Sequence, residues 1–185
     1  GLLTFACLWT LEPFYYGVAL ALYIAATVTD WVDGYIARST KSLSHFGALA
    51  DPIADKVLVL GALIACTHIR WLDIPVWAVF LIIVRELVVG GLRTLAGVQG
   101  KVLAAERWGK WKMGIQSGSV IAILLLLVAV DTAKLSVPME FLSLPWALTL
   151  LSMGVTVASG AAYVVQNRRL LEATWGPKPS GGDHP

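Results

Sequence analysis

The sequence predicts an all-α polytopic membrane protein, a bundle of six transmembrane helices, on three observations. Hydrophobic residues make up 57% of the 185 positions and charged residues 14%, and the mean hydropathy is +0.74. A soluble domain of this size does not need that much apolar surface. Apolar stretches recur at lengths near the ~20 residues that cross a hydrocarbon core. Lys and Arg are also divided unevenly between alternate connections, as they are when the two sides of a membrane differ.

The elements follow in order. The first span runs to residue 10 and opens directly on Leu2 and Leu3, with no initiating Met, signal peptide or basic segment before it, so a truncated first helix is expected. The others are read at 17–38, 47–68, 74–96, 108–130 and 143–166. Trp9, Tyr15, Tyr16, Trp71, Trp77, Trp108, Trp111 and Trp146 lie near span ends, where amphipathic rings anchor at the lipid–water boundary. Pro52 stands near the start of the third span, where proline is tolerated in a first turn and kinks a helix further in. Small residues (Ala25, Ala26, Gly90, Gly91, Gly114, Gly118, Gly154 and Gly160 to Ala162) permit close helix contact in lipid. Residues 1–169 form one membrane domain, and the Pro- and Gly-rich stretch 170–185, which includes His184, is read as a flexible tail. Cys7 and Cys66 lie in apolar spans without a C-x-x-C pattern and are read as packed thiols.

Arg38, Lys41, Lys101, Arg107, Lys110, Lys112, Arg168 and Arg169 belong to one set of connections and ends, and only Arg70 and Lys134 to the other. The first set is therefore cytoplasmic. A net charge of +2 gives no reason to expect nucleic acid.

The polar residues carry the chemistry. Asp30, Asp33, Gly34, Ala37, Arg38, Gly47, Asp51 and Asp55 read D-x2-D-G-x2-A-R-x8-G-x3-D-x3-D at the edges of apolar stretches. Carboxylates are costly there and need a compensating role. Asp30 and Asp33 are three apart and Asp51 and Asp55 four apart, so each pair shares a helix face. Facing one another, the pairs would form a cup that repels itself and takes up protons unless cations fill it. An all-oxygen donor set with no Cys or His nearby selects Mg²⁺, Mn²⁺ or Ca²⁺ over zinc or copper. Gly34 is one turn beyond Asp30, Ala37 one turn beyond Asp33, and Gly47 one turn before Asp51. These positions leave room for a flat group, and Arg38 supplies a fork suited to phosphate oxygens. Metal, flat group and phosphate together indicate a nucleotide diphosphate.

A second polar group lies in the fourth span. Arg85 and Glu86 stand about a dozen residues from its cytoplasmic end, with Arg93 two turns beyond Arg85. Arginines at that depth face water or a partner. Arg85 and Arg93 are read as phosphate ligands; Glu86 is either part of the site or an Arg–Glu brace between helices. Lys56 either neutralises the neighbouring acids or snorkels.

The acidic motif resembles that of the CDP-alcohol phosphatidyltransferases at every fixed position. Asp51-Pro52-Ile53-Ala54-Asp55-Lys56, Arg85-Glu86, Gly91-Leu92-Arg93, Ala104-Ala105, Trp108-Gly109-Lys110, Lys112 and Gln116 are similar to the bacterial phosphatidylglycerophosphate synthases within that family. This similarity covers 26–116, about half the chain; outside it only hydropathy matches. The resemblance implies transfer of a phosphatidyl group from CDP-diacylglycerol to glycerol 3-phosphate with release of CMP, at the cytoplasmic face of a bacterial inner membrane. It implies two Mg²⁺ or Mn²⁺ ions held by Asp30, Asp33, Asp51 and Asp55, with Asp55 also the base. Asp30, Gly34, Ala37, Arg38 and Gly47 would bind the donor nucleotide, and Arg85, Arg93, Lys101, Lys110 and Lys112 the acceptor phosphate. It further implies a homodimer, and basic acceptor-site residues from a segment preceding the first span. Within the class, inositol phosphate or serine are the rival acceptors. From another class, a divalent-cation channel or carrier would call for polar residues across the whole bilayer, whereas these acids gather toward one face.

Overall fold

The computed structural model describes the backbone at residues 1–40, 45–98, 107–132, 134, 141 and 143–175. Within those ranges it describes side chains except at 31, 33–40, 45–55, 95, 96, 98, 107–110, 132 and 169–175. Among the described residues there are six α-helices and no strand: α1 (Leu2–Trp9), α2 (Pro13–Thr40), α3 (His45–Thr67), α4 (Val76–Val98), α5 (Arg107–Leu127) and α6 (Leu144–Trp175). The all-α expectation holds, and five of the helices coincide with the predicted spans to within a few residues, apart from the extended ends of α2 and α6.

Local chemistry accounts for the boundaries. Pro13 opens α2, where its missing N–H costs nothing because a first-turn donor has no intrahelical acceptor. Between α3 and α4 a short 3₁₀ turn, Arg70–Leu72, is closed by Asp73 in the left-handed region (φ 46°), whose N–H donates to the Arg70 carbonyl. Pro75 then precedes α4. Helix α5 widens into a π-helical turn at Val128–Thr132, and there the Trp71 Nε1 donates to Asp131 Oδ2 at 2.9 Å, tying the α3–α4 connection to the end of α5. Helix α6 continues to Trp175, past the boundary at residue 169 where a flexible tail was expected; 176–185 lie outside the described residues.

Helix α1 packs on α2 and α3, while α6 packs on both α4 and α5, and α5 in turn meets α2. Fully buried alanines (Ala19, Ala62, Ala65 and Ala78) keep the helices close, and Tyr23, Leu63, Ile82, Ile123 and Leu124 fill the remaining core.

Two helices, α4 and α6, turn apolar faces outward and place polar side chains inside. On α6 the buried stripe is polar, Thr149, Ser152, Thr156, Ser159 and Tyr163 at three- and four-residue spacing, whereas Leu151, Val157, Val164 and Val165 are exposed. On α4 the outward face is Val76, Trp77, Phe80, Leu81, Val84, Leu87 and Val88, and the inward face contains Glu86. Apolar side chains outside and hydrogen-bonding ones inside suit a hydrocarbon solvent, where polar groups must find partners within the protein. Among the described residues, Trp111–Asp131 and Leu144–Arg168 are each long and apolar enough to cross a membrane.

Candidate active site

The acidic motif is split between two consecutive helices. Asp30, Asp33, Gly34, Ala37 and Arg38 lie in the C-terminal part of α2, and Gly47, Asp51 and Asp55 in the N-terminal part of α3. Only four residues, 41–44, separate the two helices, and the helices are in contact. Counted from that connection at 1.5 Å per residue, Asp33 and Asp51 stand about 10 and 9 Å along their helices, and Asp30 and Asp55 both about 15 Å. The four acids thus fall at two matching heights. Of these motif residues the Asp30 side chain is described, and it is exposed; the side chains of Asp33, Arg38, Asp51 and Asp55 lie outside the described residues.

Lys56, the residue after Asp55, turns toward α4. Its Nζ donates to the Glu86 carbonyl at 3.3 Å and passes over Gly90, where a Cβ would come within 2.6 Å of that nitrogen. Gly90 is therefore the gap through which a lysine on α3 reaches the backbone of α4.

Glu86 is 7% exposed, and its Oε1 accepts from two cations: Arg85 Nη1 at 3.1 Å, and the Nζ of Lys112 on α5, itself 6% exposed. A carboxylate this deeply enclosed is tolerable only when paired. Of the two readings that the sequence left open, the brace is what the geometry gives Glu86. The Arg85 guanidinium continues to α6, where Nη2 donates to Ser159 Oγ at 2.6 Å, and Ser159 in turn donates to the Thr156 carbonyl at 3.2 Å. The buried Arg85 Nε has no hydrogen-bond partner among the described residues. One polar cluster thus joins α3, α4, α5 and α6, and among the described residues it is electropositive, with Lys56, Arg85 and Lys112 around the single carboxylate of Glu86. A small cleft lined by Lys56, Glu86, Lys112, Gln116 and Ser117 opens beside it.

The predicted acceptor ligands therefore divide. Arg85 and Lys112 come together on Glu86. Arg93 is exposed and stands over the ring of Tyr163 on α6, with its Cζ 5.8 Å from the centroid. Lys110 is in the first turn of α5 with its side chain outside the described residues, and Lys101 lies outside them altogether. The α6 partners Ser159, Gly160 and Tyr163 were not singled out as site residues. Their one signal is the polar stripe they continue from Thr149, Ser152 and Thr156 in an otherwise apolar helix.

A model of the CDP-alcohol phosphatidyltransferase family matches residues 1–158. The chain belongs to that family. The chain is 39% identical over 155 residues to the CDP-diacylglycerol–glycerol-3-phosphate 3-phosphatidyltransferase of Bacillus subtilis (strain 168), covering 83% of this chain and 75% of that protein. It is 46% identical over 112 residues to the Cereibacter sphaeroides protein of the same name, covering 58% of this chain and 49% of the relative. A third protein of that name, from Haemophilus influenzae, is 38% identical over 104 residues, 54% of this chain and 55% of the relative. The match thus spans three quarters of the first relative and about half of the other two.

Proposed function

We propose that this chain transfers the phosphatidyl group of CDP-diacylglycerol to glycerol 3-phosphate, giving phosphatidylglycerophosphate and CMP. The observation that carries this reading is the complete acidic motif on two consecutive helices of a chain whose relatives are named for that reaction. The electropositive cluster of Lys56, Arg85 and Lys112 supports an acceptor that is itself a phosphate ester, in preference to serine.

The donor set fits hard divalent cations, being four carboxylates on two adjoining helices with oxygen ligands only. Asp30, Asp33, Asp51 and Asp55 would hold two Mg²⁺ or Mn²⁺ ions, which when bound would neutralise charge on the donor diphosphate. Asp55 takes the proton from the primary hydroxyl of glycerol 3-phosphate. The freed oxygen bonds to the phosphorus that bears the diacylglycerol, and the bond from that phosphorus to CMP breaks. Gly34, Ala37 and Gly47 leave room for the cytidine and Arg38 meets its phosphates. Arg85, Arg93, Lys110 and Lys112, with Lys101, hold the acceptor phosphate.

The donor's acyl chains require a site open to lipid as well as to water. We read α2 to α6 as membrane-spanning, and the acid-bearing end as cytoplasmic in a bacterial inner membrane. The outward apolar face of α4, the inward polar face of α6 and the division of Lys and Arg support this. A homodimer is part of the same proposal, on family resemblance.

The test is CMP release by the full-length protein in detergent with CDP-diacylglycerol and Mg²⁺ or Mn²⁺. Glycerol 3-phosphate, inositol phosphate and serine are compared as acceptors. Release with glycerol 3-phosphate alone, lost on chelation and restored by the metal, is expected. Release with another acceptor overturns the acceptor assignment, and release that survives chelation overturns the role given to the carboxylates.

A further inference from the structure

Helix α6 lies outside the stretch that carries the motif resemblance, yet it receives both arginines of α4. Arg85 crosses to it at Ser159 and Gly160. Its Nη2 donates to Ser159 Oγ at 2.6 Å, and a Cβ on Gly160 would stand 2.8 Å from Arg85 Cγ and 2.9 Å from its Nε. The absence of a side chain at 160 is thus what lets the arginine lie flat against the helix. Arg93 reaches α6 one turn on, over the ring of the fully buried Tyr163.

The two sets of contacts differ in spacing. Arg85 and Arg93 leave α4 eight residues apart, about 12 Å along its axis, whereas Gly160 and Tyr163 are three residues apart on α6, about 4.5 Å. A helical tyrosine also leans toward the N-terminus of its helix, here toward Gly160. The contacts on α6 therefore lie closer together along the bundle than the points at which the two arginines leave α4. Like charges brought together repel, and Glu86 already serves Lys112 as well as Arg85. An anion placed between the guanidiniums relieves that repulsion, and the Arg85 Nε–H is a donor still without an acceptor among the described residues.

We infer that the inner face of α6 is a positioning shelf for the acceptor: Ser159 and Gly160 set Arg85, Tyr163 sets Arg93, and together they aim both guanidiniums at one phosphomonoester. This rests on the proposed transfer to glycerol 3-phosphate and adds α6 to its specificity. None of the three α6 residues is a catalytic residue; each acts through an arginine. The ring of Tyr163 does the work, and its hydroxyl is dispensable.

The experiment measures KM and kcat for each substrate separately in the full-length protein, with Tyr163→Leu, Tyr163→Phe, Ser159→Ala and Gly160→Ala compared with wild type. Tyr163→Leu is expected to raise KM for glycerol 3-phosphate roughly two- to fivefold, the range of a cation–π contact. Tyr163→Phe keeps the wild-type value because the ring face remains. Gly160→Ala, which displaces Arg85, is expected to raise it about tenfold or more, and Ser159→Ala less. KM for CDP-diacylglycerol stays at the wild-type value throughout. Protection by glycerol 3-phosphate against thermal unfolding should weaken in the same order. A loss confined to kcat or to folding yield, equal shifts in both KM values, or a Tyr163→Phe variant as impaired as Tyr163→Leu overturns the shelf while leaving the transferase reading intact. If Gly160→Ala does not fold, the Tyr163 pair decides. Wild-type protein that turns over CDP-diacylglycerol but not with glycerol 3-phosphate overturns the acceptor reading and the shelf with it.

Discussion

The hairpin of α2 and α3 and the polar cluster among α3, α4, α5 and α6 are two halves of one proposed site built on opposite principles. In the hairpin, all the fixed residues fall between Asp30 and Asp55, on two helices joined by four residues. Helical periodicity and a short connection are enough to bring them to common heights. In the cluster, Lys56, Glu86, Lys112 and Ser159 come from four helices and meet only because those helices pack. The first half is local and reads as a motif. The second is a tertiary object, and its members read as scattered single charges. The hairpin should therefore lose chemistry when altered and keep its fold, whereas the cluster should lose both.

The largest effect that sharpens this contrast is expected at Asp55. Asp55→Asn should lower CMP release by about 10²- to 10⁴-fold, the range for a general base, with cytidine nucleotide still bound. Isotope-labelled nucleotide binding alongside turnover checks it, and near-normal turnover removes Asp55 from the role of base. Next comes Glu86. Glu86→Ala leaves the buried Lys112 without its carboxylate, a change that costs about 3–5 kcal/mol in such pairs, and should lower the unfolding temperature in detergent. Combining it with Lys112→Met should restore much of that loss. A single Glu86→Ala variant as stable as wild type would break the comparison, because the cluster would then not be holding helices together.

A smaller effect is expected from Arg85→Lys. An ammonium cannot reach Glu86 and Ser159 together as the guanidinium does, and one charge-assisted hydrogen bond of about 1.5 kcal/mol lost to the acceptor phosphate corresponds to roughly a tenfold rise in KM for glycerol 3-phosphate. An unchanged KM would mean that Arg85 serves packing alone. The smallest lies away from the charges: Ser152 donates to Ser119 Oγ at 3.0 Å between α6 and α5, and Ser119→Ala should cost about 0.6 kcal/mol in unfolding free energy with turnover untouched. A larger loss, or a change in turnover, would extend the functional cluster along α5.

Much of the fold was legible before any coordinates. Apolar runs near twenty residues, with aromatic rings at their ends, coincide with α2 to α6, and among the described residues Trp111–Asp131 and Leu144–Arg168 are long and apolar enough to cross a membrane. The end of α6 was less legible: the expected boundary follows the polar run Gln166-Asn167-Arg168-Arg169, yet 170–175 reads Leu-Leu-Glu-Ala-Thr-Trp without glycine or proline, and the backbone stays helical to Trp175 because propagation needs only good local hydrogen bonds. At the site, Arg85 and Arg93 stood out as charges in an apolar span. Ser159, Gly160 and Tyr163 did not, because small and half-polar residues are ordinary in membrane helices and declare a role only through the partner they meet.

By itself the sequence determined the all-α class, the position of most helices and the acid-bearing hairpin, because helical period, span length and nearest-neighbour spacing are all properties of consecutive residues. Only the tertiary structure decided that Glu86 braces Arg85 to Lys112, that Gly90 makes way for Lys56, and that α6 receives both arginines of α4. Those pairings depend on which faces of distant helices come within a few ångströms of one another, and that is set by packing of the whole bundle.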